Sequence, residues 1–264
     1  MSVSSIISIV VFIMISSSTV FAKTIFLVTL ESPPAEYSEN GKPTGRNVEI
    51  VEEGLKRMGY DCKISFLPWK RALLMVEEER ADGIVDVAYS EERAKYLYYP
   101  HEEIYIEEWY AFKRKESNLM LDQDLGNAGK ITLGISRGFV YGGIIQEAIN
   151  NHRFKRIEEV HNNELNIKKL VAKRFDMFIG VKLTILFLAE KMGYIDQIDI
   201  VNMTNTDQNY LLSASKTYVG FSKKSMKKED AEEFSSIITA MKKDGTVKKI
   251  EEKYYSKEIR HVGD

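Results

Sequence analysis

The sequence predicts an α/β protein built from two similar lobes. Over most of the chain, short apolar segments alternate with segments of helical period, which indicates strand–helix–strand units and parallel sheets. A short motif also recurs, because Arg80-Ala81-Asp82 and Arg174-Phe175-Asp176 each follow a predicted helix and precede an apolar strand. A length of 264 residues suits one large domain or two modest ones, and the internal repeat favours two.

The strands and helices of the first half follow one another as β-α-β-α-β. The strands are predicted from apolar runs or from alternation of apolar and polar residues, and the helices from apolar residues three or four apart. The predicted elements are a strand at 24–30, a helix at 48–58, a strand at 62–66, a helix at 69–76 and a strand at 84–88. Strands joined in this way through helices pair in parallel, with right-handed crossovers.

The second half repeats this order before the chain ends in helices. The predicted elements are strands at 130–135, 156–160 and 176–179, helices at 141–149, 165–172 and 184–191, and then a strand at 218–221 and a helix at 231–241. Asp244-Gly245 ends that helix, and Val247, Ile250 and Tyr254 predict a final short one. The repeated order favours two lobes over one long sheet.

The first 22 residues differ from the rest of the chain. Residues 1–22 carry no charged side chain and contain an apolar run from Ile6 to Ile15, broken only by Ser8. Such a run followed by small residues predicts a secretory signal peptide cleaved after Ala22 and a periplasmic mature protein. The alternative is an uncleaved membrane anchor, but the run is well short of the roughly 20 residues that span a bilayer.

Composition limits the classes of function. Apolar residues make up 44% of the chain and charged residues 29%, which is typical of a globular protein. A net charge of -2 gives no support for nucleic-acid binding. Cys62 is the one cysteine, so no intrachain disulfide forms, and with four scattered histidines we expect neither a metal site nor a cofactor.

Motifs from both halves together indicate a family. Gly45-x-x-Val48-Glu49-Ile50-Val51 opens the first helix, Ser90-Glu91-Glu92-Arg93 follows the third strand, and Gly134-x-x-Arg137-Gly138-x-x-Tyr141 opens the second half. The other motifs are Pro33-Pro34, Pro68-Trp69-Lys70-Arg71, Tyr99-Pro100 and Met241-x-x-Asp244-Gly245-x-x-x-x-Ile250. In order and spacing, from about Lys23 to Tyr255, the chain resembles the extracellular solute-binding proteins of family 3, the amino-acid-transporter type.

This resemblance implies a two-lobed periplasmic-binding-protein fold of type II. Each lobe would be a β-sheet flanked by helices, and a hinge of two crossovers would join the lobes around a ligand cleft. The first lobe would comprise residues 23–112 and 215–264, and the second residues 113–214. The expected partners are a small-molecule ligand and an inner-membrane permease, and we expect a monomer.

The resemblance also places the ligand's carboxylate. Arg93 stands where the family has an arginine that pairs with a ligand carboxylate, and a planar guanidinium makes two parallel hydrogen bonds to such a group. Ser90 would supply the accompanying hydroxyl. The alternative for Arg93 is a surface arginine paired with Glu91 or Glu92.

Further residues are expected around the cleft by the same resemblance. They are Trp69, Arg71, Tyr37, Tyr89, Arg137, Phe139 and Tyr141. Trp69 is either a stacking wall or a core residue. Arg137, Phe139 and Tyr141 flank a helix N-terminus that attracts anions, or else form a simple turn with Tyr141 packed inward.

Three positions depart from the family's amino-acid-binding pattern. Ala88 replaces a small hydroxyl residue, Val181 replaces the carboxylate that holds the ligand's ammonium, and Phe139 replaces a threonine or serine. We therefore expect a small polar or anionic solute, amino-acid-like or another carboxylate with an apolar or aromatic portion, rather than a standard α-amino acid.

Binding for ABC-type transport is the favoured function, and the chain is not expected to be an enzyme. One alternative is an enzyme on the same fold, similar to cyclohexadienyl dehydratase, in which Glu31 at a strand end would be the acid to test. Another is a ligand sensor without a transport role. Fold alone does not decide among these functions.

Overall fold

The computed structural model describes residues 23–258, so the predicted signal peptide lies outside the described residues. The strands are β1 (Thr24–Thr29), β2 (Tyr37–Glu39), β3 (Lys42–Thr44), β4 (Asp61–Phe66), β5 (Gly83–Ala88), β6 (Leu97–Tyr98), β7 (Tyr105–Arg114), β8 (Met120–Leu121), β9 (Thr132–Ser136), β10 (Arg156–Val160), β11 (Met177–Val181), β12 (Ile198–Ile200), β13 (Asn202–Met203) and β14 (Leu211–Ser222). The helices are α1 (Arg46–Arg57), α2 (Trp69–Glu77), α3 (Gly143–Asn150), α4 (Asn163–Val171), α5 (Lys182–Lys191), α6 (Lys228–Lys243) and α7 (Thr246–Glu258). Short 3-10 helices lie at Arg93–Lys95, Ala128–Lys130 and Ile195–Gln197.

One continuous sheet runs through both lobes in the order β10-β9-β11-β7-β14-β5-β1-β4. As the sequence predicts, β1 pairs in parallel with β4 and β5, and β9 pairs in parallel with β10 and β11. The first lobe is built on β1, β4 and β5, and the second on β9, β10 and β11. Between these parallel groups lie β7 and β14, which pair antiparallel with each other.

The strands β7 and β14 are the two crossovers. Their pairing runs from Tyr105 opposite Thr217 to Leu211 opposite Tyr110, and on their outer sides β14 pairs with β5 and β7 with β11. Each strand therefore passes from one lobe into the other. The predicted lobe boundaries, 112/113 and 214/215, fall inside these two strands, and their positions stay a prediction.

Each lobe buries the apolar faces of its own helices. In the first lobe α1 packs against α6 and α7, and α2 against β1 and β5. Gly54 on α1 allows this approach, since a Cβ there would lie 2.8 Å from the ring of Phe234 on α6. In the second lobe α4 packs against β9, β11 and α5, around residues such as Ile167, Phe178 and Ile185. No helix within residues 23–258 is both long and apolar enough to cross a bilayer.

The repeated Arg-x-Asp motif makes the same contact in both lobes. In the first lobe Phe26 N–H donates to Asp82 Oδ2 at 2.8 Å, and Asp82 N–H donates back to the Phe26 carbonyl. In the second, Thr132 N–H donates to Asp176 Oδ2 at 2.8 Å, and Asp176 N–H donates to the Thr132 carbonyl. The repeat thus ties the last parallel strand of each lobe to the lobe's first strand.

Candidate functional site

A pocket lies between the lobes, next to the carboxyl ends of β1, β5 and β11. Open α/β sheets bind ligands at this end of their strands. The pocket is lined by Leu30, Ser32, Trp69, Asp86, Ala88, Arg93, Glu107, Trp109, Phe139, Val140, Asn163 and Val181. Both lobes and the crossover strand β7 therefore contribute to its wall.

The pocket is narrow, and a wider groove leads into it. The cavity volume is about 30 Å³, which is room for about two water molecules. The groove, of about 280 Å³, shares Leu30, Trp69, Phe139 and Asn163 with the pocket. A solute of several heavy atoms therefore needs the lobes to separate before it can reach the pocket, the hinge motion typical of two-lobed binding proteins.

Arg93 is buried at the pocket wall, with 6% of its surface exposed. Its Nη1 donates to the carbonyl of Ala88 at 3.1 Å and its Nη2 to the carbonyl of Gly138 at 2.9 Å. Burial lowers the pKa of the guanidinium, because a charge is less well solvated inside the protein. The side chain therefore lies inside the cleft and not on the surface, contrary to the alternative of a surface arginine.

The carbonyl of Gly138 joins the two lobes. It accepts a hydrogen bond from Trp69 Nε1 at 3.1 Å as well as the one from Arg93. Trp69 and Arg93 belong to the first lobe, whereas Gly138 follows β9 in the second. Gly138 has φ +80°, a conformation that glycine adopts without strain.

Phe139 sits in an aromatic cluster that spans the cleft. Its ring meets Trp69 edge-on at 6.2 Å, Trp109 edge-on at 5.9 Å, and the tilted ring of Tyr141 at 6.2 Å. Edge-to-face pairs at these distances are favourable beyond the area they bury. Phe139 packs against core residues of both lobes, so its side chain is part of the interface between them.

A second set of contacts closes the other side of the cleft. Ser32 Oγ and Thr184 Oγ1 share a hydrogen bond of 3.2 Å, and both residues are buried. Nearby, the rings of Tyr37 and Phe187 lie 6.3 Å apart. Because Ser32 and Tyr37 belong to the first lobe and the α5 residues to the second, the lobes are held on two sides of the pocket.

Two acidic side chains, Asp86 and Glu107, also line the pocket. Glu36 lies behind them with no exposed surface, and its Oε2 accepts a hydrogen bond from Asn47 Nδ2 at 2.8 Å. Burial and then the charge of Asp86 raise the pKa of both Glu36 and Glu107, whereas the charge of Arg46 lowers that of Glu107. Like charges close together resist simultaneous ionisation, so Glu36 and Glu107 keep their protons to a higher pH than ordinary glutamates.

Asp86 owes its position to an irregularity in β5. Tyr218 on β14 pairs with Val87, but Gly220 pairs with Ile84, so β5 has one more residue than β14 between these pairs. Asp86 lies in this bulge with φ +63°, which aspartate tolerates better than most residues. Bulges of this kind redirect side chains and are frequent beside functional sites.

The structure brings only some of the expected residues into the pocket. Arg93, Trp69 and Phe139 line it together, and Ala88 and Val181, the positions that depart from the family pattern, also lie in its wall. Glu31 lies at the mouth, where it lines the groove and its Oε2 accepts a hydrogen bond from Ser38 N–H at 3.0 Å.

The remaining candidates of the first lobe lie outside the pocket. The hydroxyl of Ser90 accepts a hydrogen bond from the N–H of Arg93 at 3.3 Å, so it caps the turn that carries the arginine. Tyr89 is 51% exposed and donates from its hydroxyl to Glu91. Arg71 is exposed on α2.

In the second lobe, Arg137 is also exposed, and its Nε lies 3.2 Å from Glu159 Oε2. Of the three arginines expected around the cleft, Arg93 lines the pocket, whereas Arg71 and Arg137 do not. Tyr141 is buried, which agrees with the alternative of a simple turn with Tyr141 packed inward. Its hydroxyl accepts a hydrogen bond from Ser136 N–H at 2.7 Å.

Several lining residues carry no motif in the sequence. They are Ser32, Asp86, Glu107, Trp109 and Asn163. Asp86 alone leaves a signal, because a charged residue interrupts the apolar strand GIVDVA. Within residues 23–258 no group of three or more histidine, cysteine, aspartate or glutamate side chains is arranged to hold a metal ion.

Comparison with known proteins supports this architecture. The chain matches the profile of the bacterial extracellular solute-binding proteins, family 3, over residues 25–257. A search among curated proteins returned no match.

Solved structures share the fold at low identity. A histidine kinase sensor domain with similarity to periplasmic binding proteins has a TM-score of 0.75 at 19% identity, covering 88% of this chain and 96% of that one. The substrate-binding protein of an amino acid ABC transporter has 0.71 at 16%, covering 88% and 99%. An arginine transport-system binding protein from Legionella pneumophila has 0.71 at 12%, covering 88% and 100%. The fold is thus the two-lobed fold of periplasmic binding proteins, and the chain belongs to the bacterial extracellular solute-binding proteins of family 3.

Proposed function

We propose that this chain captures a small carboxylate-bearing solute between its lobes and delivers it to an ABC-type permease of the inner membrane. It would act in the periplasm, after cleavage of its signal peptide, as a monomer. The observation that carries the proposal is Arg93, a buried cation whose hydrogen-bond partners are backbone carbonyls. Among the ion pairs of residues 23–258 none includes it.

A carboxylate suits this guanidinium for a physical reason. A buried charge without a counter-charge is unfavourable, and a bidentate carboxylate supplies both the charge and two strong hydrogen bonds. The rings of Trp69, Trp109 and Phe139 form apolar walls around it. This surface suits an amino-acid-like solute or another carboxylate with an apolar or aromatic portion.

The experiment is a ligand screen with matched variants. Native mass spectrometry of the protein as purified, followed by a thermal-shift screen of small carboxylates, identifies a ligand, and calorimetry gives its Kd. We expect Arg93→Ala to weaken binding by at least about tenfold, since a charge-assisted pair contributes about 1.5–3 kcal/mol. The control is Arg80→Ala, because Arg80 is exposed and pairs with Glu78. Full affinity in Arg93→Ala would contradict the proposal.

A catalytic role predicts a different result with the same ligand. A binding protein returns its ligand unchanged after long incubation, whereas an enzyme on this fold converts it. Mass spectrometry of the incubated ligand separates these outcomes. If conversion is found, loss of it in Glu31→Gln would assign the acid at the mouth of the groove.

A sensor role is the second candidate, and the fold shared with a histidine kinase sensor domain is compatible with it. At 19% identity this likeness bears on the fold alone. Uptake of the labelled ligand by cells with and without the chain distinguishes the two functions, since uptake falls in the deletion strain only if the chain feeds a permease.

A further inference from the structure

The end of the second lobe that lies away from the pocket is basic. Two surface grooves there, of about 460 and 650 Å³, adjoin at Lys173. Seven cationic and three acidic side chains line them, which leaves a net of four positive charges. We call these cations the basic end, and they are Arg114, Lys115 and Arg156 from the strands and Lys168, Lys169, Lys173 and Arg174 from α4 and the turn after it. The whole chain has a net charge of -2, so the positive charge is local.

The sheet topology brings these cations together. β9, β10 and β11 are parallel, and β7 runs antiparallel to β11, so the carboxyl end of β7 lies beside the amino ends of the other three. Arg114 ends β7, Arg156 begins β10, and Arg174 lies in the turn before β11. Since the order of these strands is β10-β9-β11-β7, the cations spread over roughly 14 Å at about 4.8 Å per strand. The pocket lies at the opposite ends of the strands and stays accessible when the basic end is occupied.

The acids in the grooves do not neutralise the basic end. Glu116 is shared by two cations, since its Oε1 lies 3.4 Å from Arg114 Nε and 3.8 Å from Lys173 Nζ. Glu158 is likewise shared by a lysine of α4 and the arginine of β10. Each of these two acids therefore leaves an excess of positive charge beside it.

Three members of the basic end have no acidic partner in the protein. Within residues 23–258 no ion pair includes Lys115, Lys168 or Arg174, and all three are exposed. Cations in this state attract an anionic surface, because approach to it replaces their dissolved counter-ions by fixed negative charges. The basic end is therefore suited to electrostatic contact with a partner.

The first lobe contains the same turn without the cations. Glu79 follows α2 with φ +64°, and Lys173 follows α4 with φ +59°. In both turns this residue and the next donate their N–H groups back to the helix in the same pattern. The two lysines in the last turn of α4 correspond in position to Leu74 and Met75 of α2. The turn thus folds without positive charge, so the attraction of a helix C-terminus for cations does not account for the basic end.

The dimensions and chemistry of the basic end favour an extended anionic partner. Cations spread over four strands are too far apart for one small anion to contact them all. The large apolar side chains exposed within residues 23–258 lie elsewhere, and they are Leu74, Tyr89, Ile106 and Leu211. Contact would therefore be electrostatic and superficial. Anionic lipid headgroups at a bilayer surface form an extended partner of this kind.

We propose that the basic end binds anionic phospholipid headgroups and so holds the protein against a membrane surface. Clusters of roughly four to eight lysines and arginines are typical of such contacts. The inference goes beyond the proposed function, because it does not depend on which solute binds in the cleft. It takes from that function only the location beside the inner membrane.

The test is sedimentation with sucrose-loaded vesicles. Protein purified from the periplasm is mixed with vesicles of phosphatidylcholine, either pure or with an equal amount of phosphatidylglycerol, and no solute is added. We expect the partition coefficient to be at least about tenfold higher for the anionic vesicles at low salt. This difference should be lost between about 50 mM and about 500 mM salt, because salt screens the attraction.

A triple variant locates the contact. Reversal of three exposed cations should lower the partition coefficient for anionic vesicles by at least about thirtyfold, and the substitutions are Lys168→Glu, Lys173→Glu and Arg174→Glu. Glutamate is compatible with the positive φ of Lys173, since Glu79 adopts it in the first lobe. If the melting temperature falls, the three glutamine substitutions replace this set, and their expected loss is at least about fivefold.

The matched control changes the net charge equally in the first lobe. Its substitutions are Lys42→Glu, Lys63→Glu and Lys249→Glu, at three exposed positions. We expect it to lower the partition coefficient by less than about threefold, because these residues lie outside the basic end. Equal losses in the two triple variants would show that net charge alone decides, and the inference would fail.

The remaining outcomes also decide the question. Equal binding to neutral and anionic vesicles, or no binding to either, would overturn the inference. Long-chain polyphosphate, at the same phosphate concentration as the lipid, tests a soluble polyanion as the partner. If it binds the protein more tightly than the anionic vesicles do, the membrane is the wrong partner and the inference fails. None of these results bears on the proposed function, since no solute is present.

Discussion

Arg93 donates a hydrogen bond across the cleft to the carbonyl oxygen of Gly138, at 2.9 Å. The group expected to hold a ligand therefore also holds the lobes together. When the lobes separate, this bond and the one from Trp69 to the same carbonyl are lost. A guanidinium has five N–H donors, so Arg93 can hold a ligand carboxylate and the Gly138 carbonyl together, and ligand binding and lobe closure are coupled through one side chain.

Substitution of Gly138 by alanine should loosen this closure. A Cβ there would lie 3.6 Å from Trp69 Cδ1, an ordinary contact, so the effect arises from the positive φ, which costs an L-residue about 1–2 kcal/mol. We expect Gly138→Ala to lower ligand affinity by roughly five- to thirtyfold and to increase the radius of gyration in small-angle X-ray scattering.

The control for this substitution is Gly41→Ala. Gly41 has φ +76°, and a Cβ at this position would meet nothing within 4 Å, so its substitution imposes similar strain away from the cleft. Both variants should lose stability in urea denaturation. Equal ligand affinity in the two variants would contradict the role of Gly138 in closure.

The two tryptophans of the chain provide an optical measure of binding. Trp69 and Trp109 are the only tryptophans, and both line the pocket. A solute that enters the pocket changes the surroundings of both rings, so we expect a shift in intrinsic fluorescence that saturates with the calorimetric Kd. An unchanged spectrum at saturating ligand would mean that the solute binds elsewhere.

Phenylalanine at the same two positions should have different effects on stability. Trp69→Phe removes the hydrogen bond to Gly138 and should lower the free energy of unfolding by about 1 kcal/mol. Trp109→Phe removes an N–H that has no partner, so this variant should lose less of the free energy of unfolding than Trp69→Phe. Urea denaturation of both variants measures the difference, and equal losses would show that packing alone decides.

The parallel parts of the fold could be predicted because their signals are local. The strands and helices around Val51 and Ile167 follow periodic patterns that a short window of sequence reveals. The crossover strands could not be predicted in the same way. Tyr105–Arg114 reads YIEEWYAFKR, and its pairing with β14 depends on residues about a hundred positions away. A short stretch of sequence contains no pattern that indicates its partner in long-range antiparallel pairing.

The residues of the candidate site also differ in how far the local sequence predicts them. Arg93 could be predicted from its motif, and its burial agrees with a cleft position. Asp86 could not, because its exposure to the pocket depends on a bulge that the pairing of Tyr218 and Gly220 creates. Arg137 lies on the surface, where its side chain pairs with Glu159, since a position near a helix N-terminus does not determine where a long side chain points.

Cys62 should react slowly with thiol reagents while the protein is folded. It lies on β4, and burial, then the charges of Glu52 and Asp61, raise the pKa of its thiol to about 12. Because the thiolate is the reactive form, we expect labelling at pH 8 at least about 100-fold slower than in the urea-unfolded chain. Equal rates in the two states would show that the thiol is accessible and unperturbed in the folded protein.

The buried carboxyls make stability depend on pH in an unusual direction. Burial and neighbouring charge raise the pKa of Glu36 and Glu107, so the folded state binds protons that the unfolded state has released. Stability from this source is present below the ordinary carboxyl pKa near 4.5 and is lost as pH rises through the raised values. Arg46 and Asn47, which face the cluster from α1, reduce the effect without reversing it.

Other carboxyls act in the opposite direction at lower pH. Hydrogen bonds from Lys242 and Lys216 outweigh burial at Glu103 and lower its pKa to about 2. Its contribution is lost as pH falls from about 4.5 toward 2. We therefore expect the free energy of unfolding to be greatest in mildly acidic solution and to fall between pH 5 and pH 8.

Urea denaturation at pH 5 and pH 8 measures this dependence. Glu107→Gln replaces a titrating carboxyl by a neutral amide of the same shape, so this variant should lose less stability than the wild type between the two pH values. Glu108→Gln, on the exposed side of the same strand, should follow the wild type. A Glu107→Gln variant with the wild-type slope would place the proton uptake on Glu36 alone, and Glu36→Gln should then flatten the dependence. If both variants keep the wild-type slope, the buried carboxyls are not the source of the pH dependence.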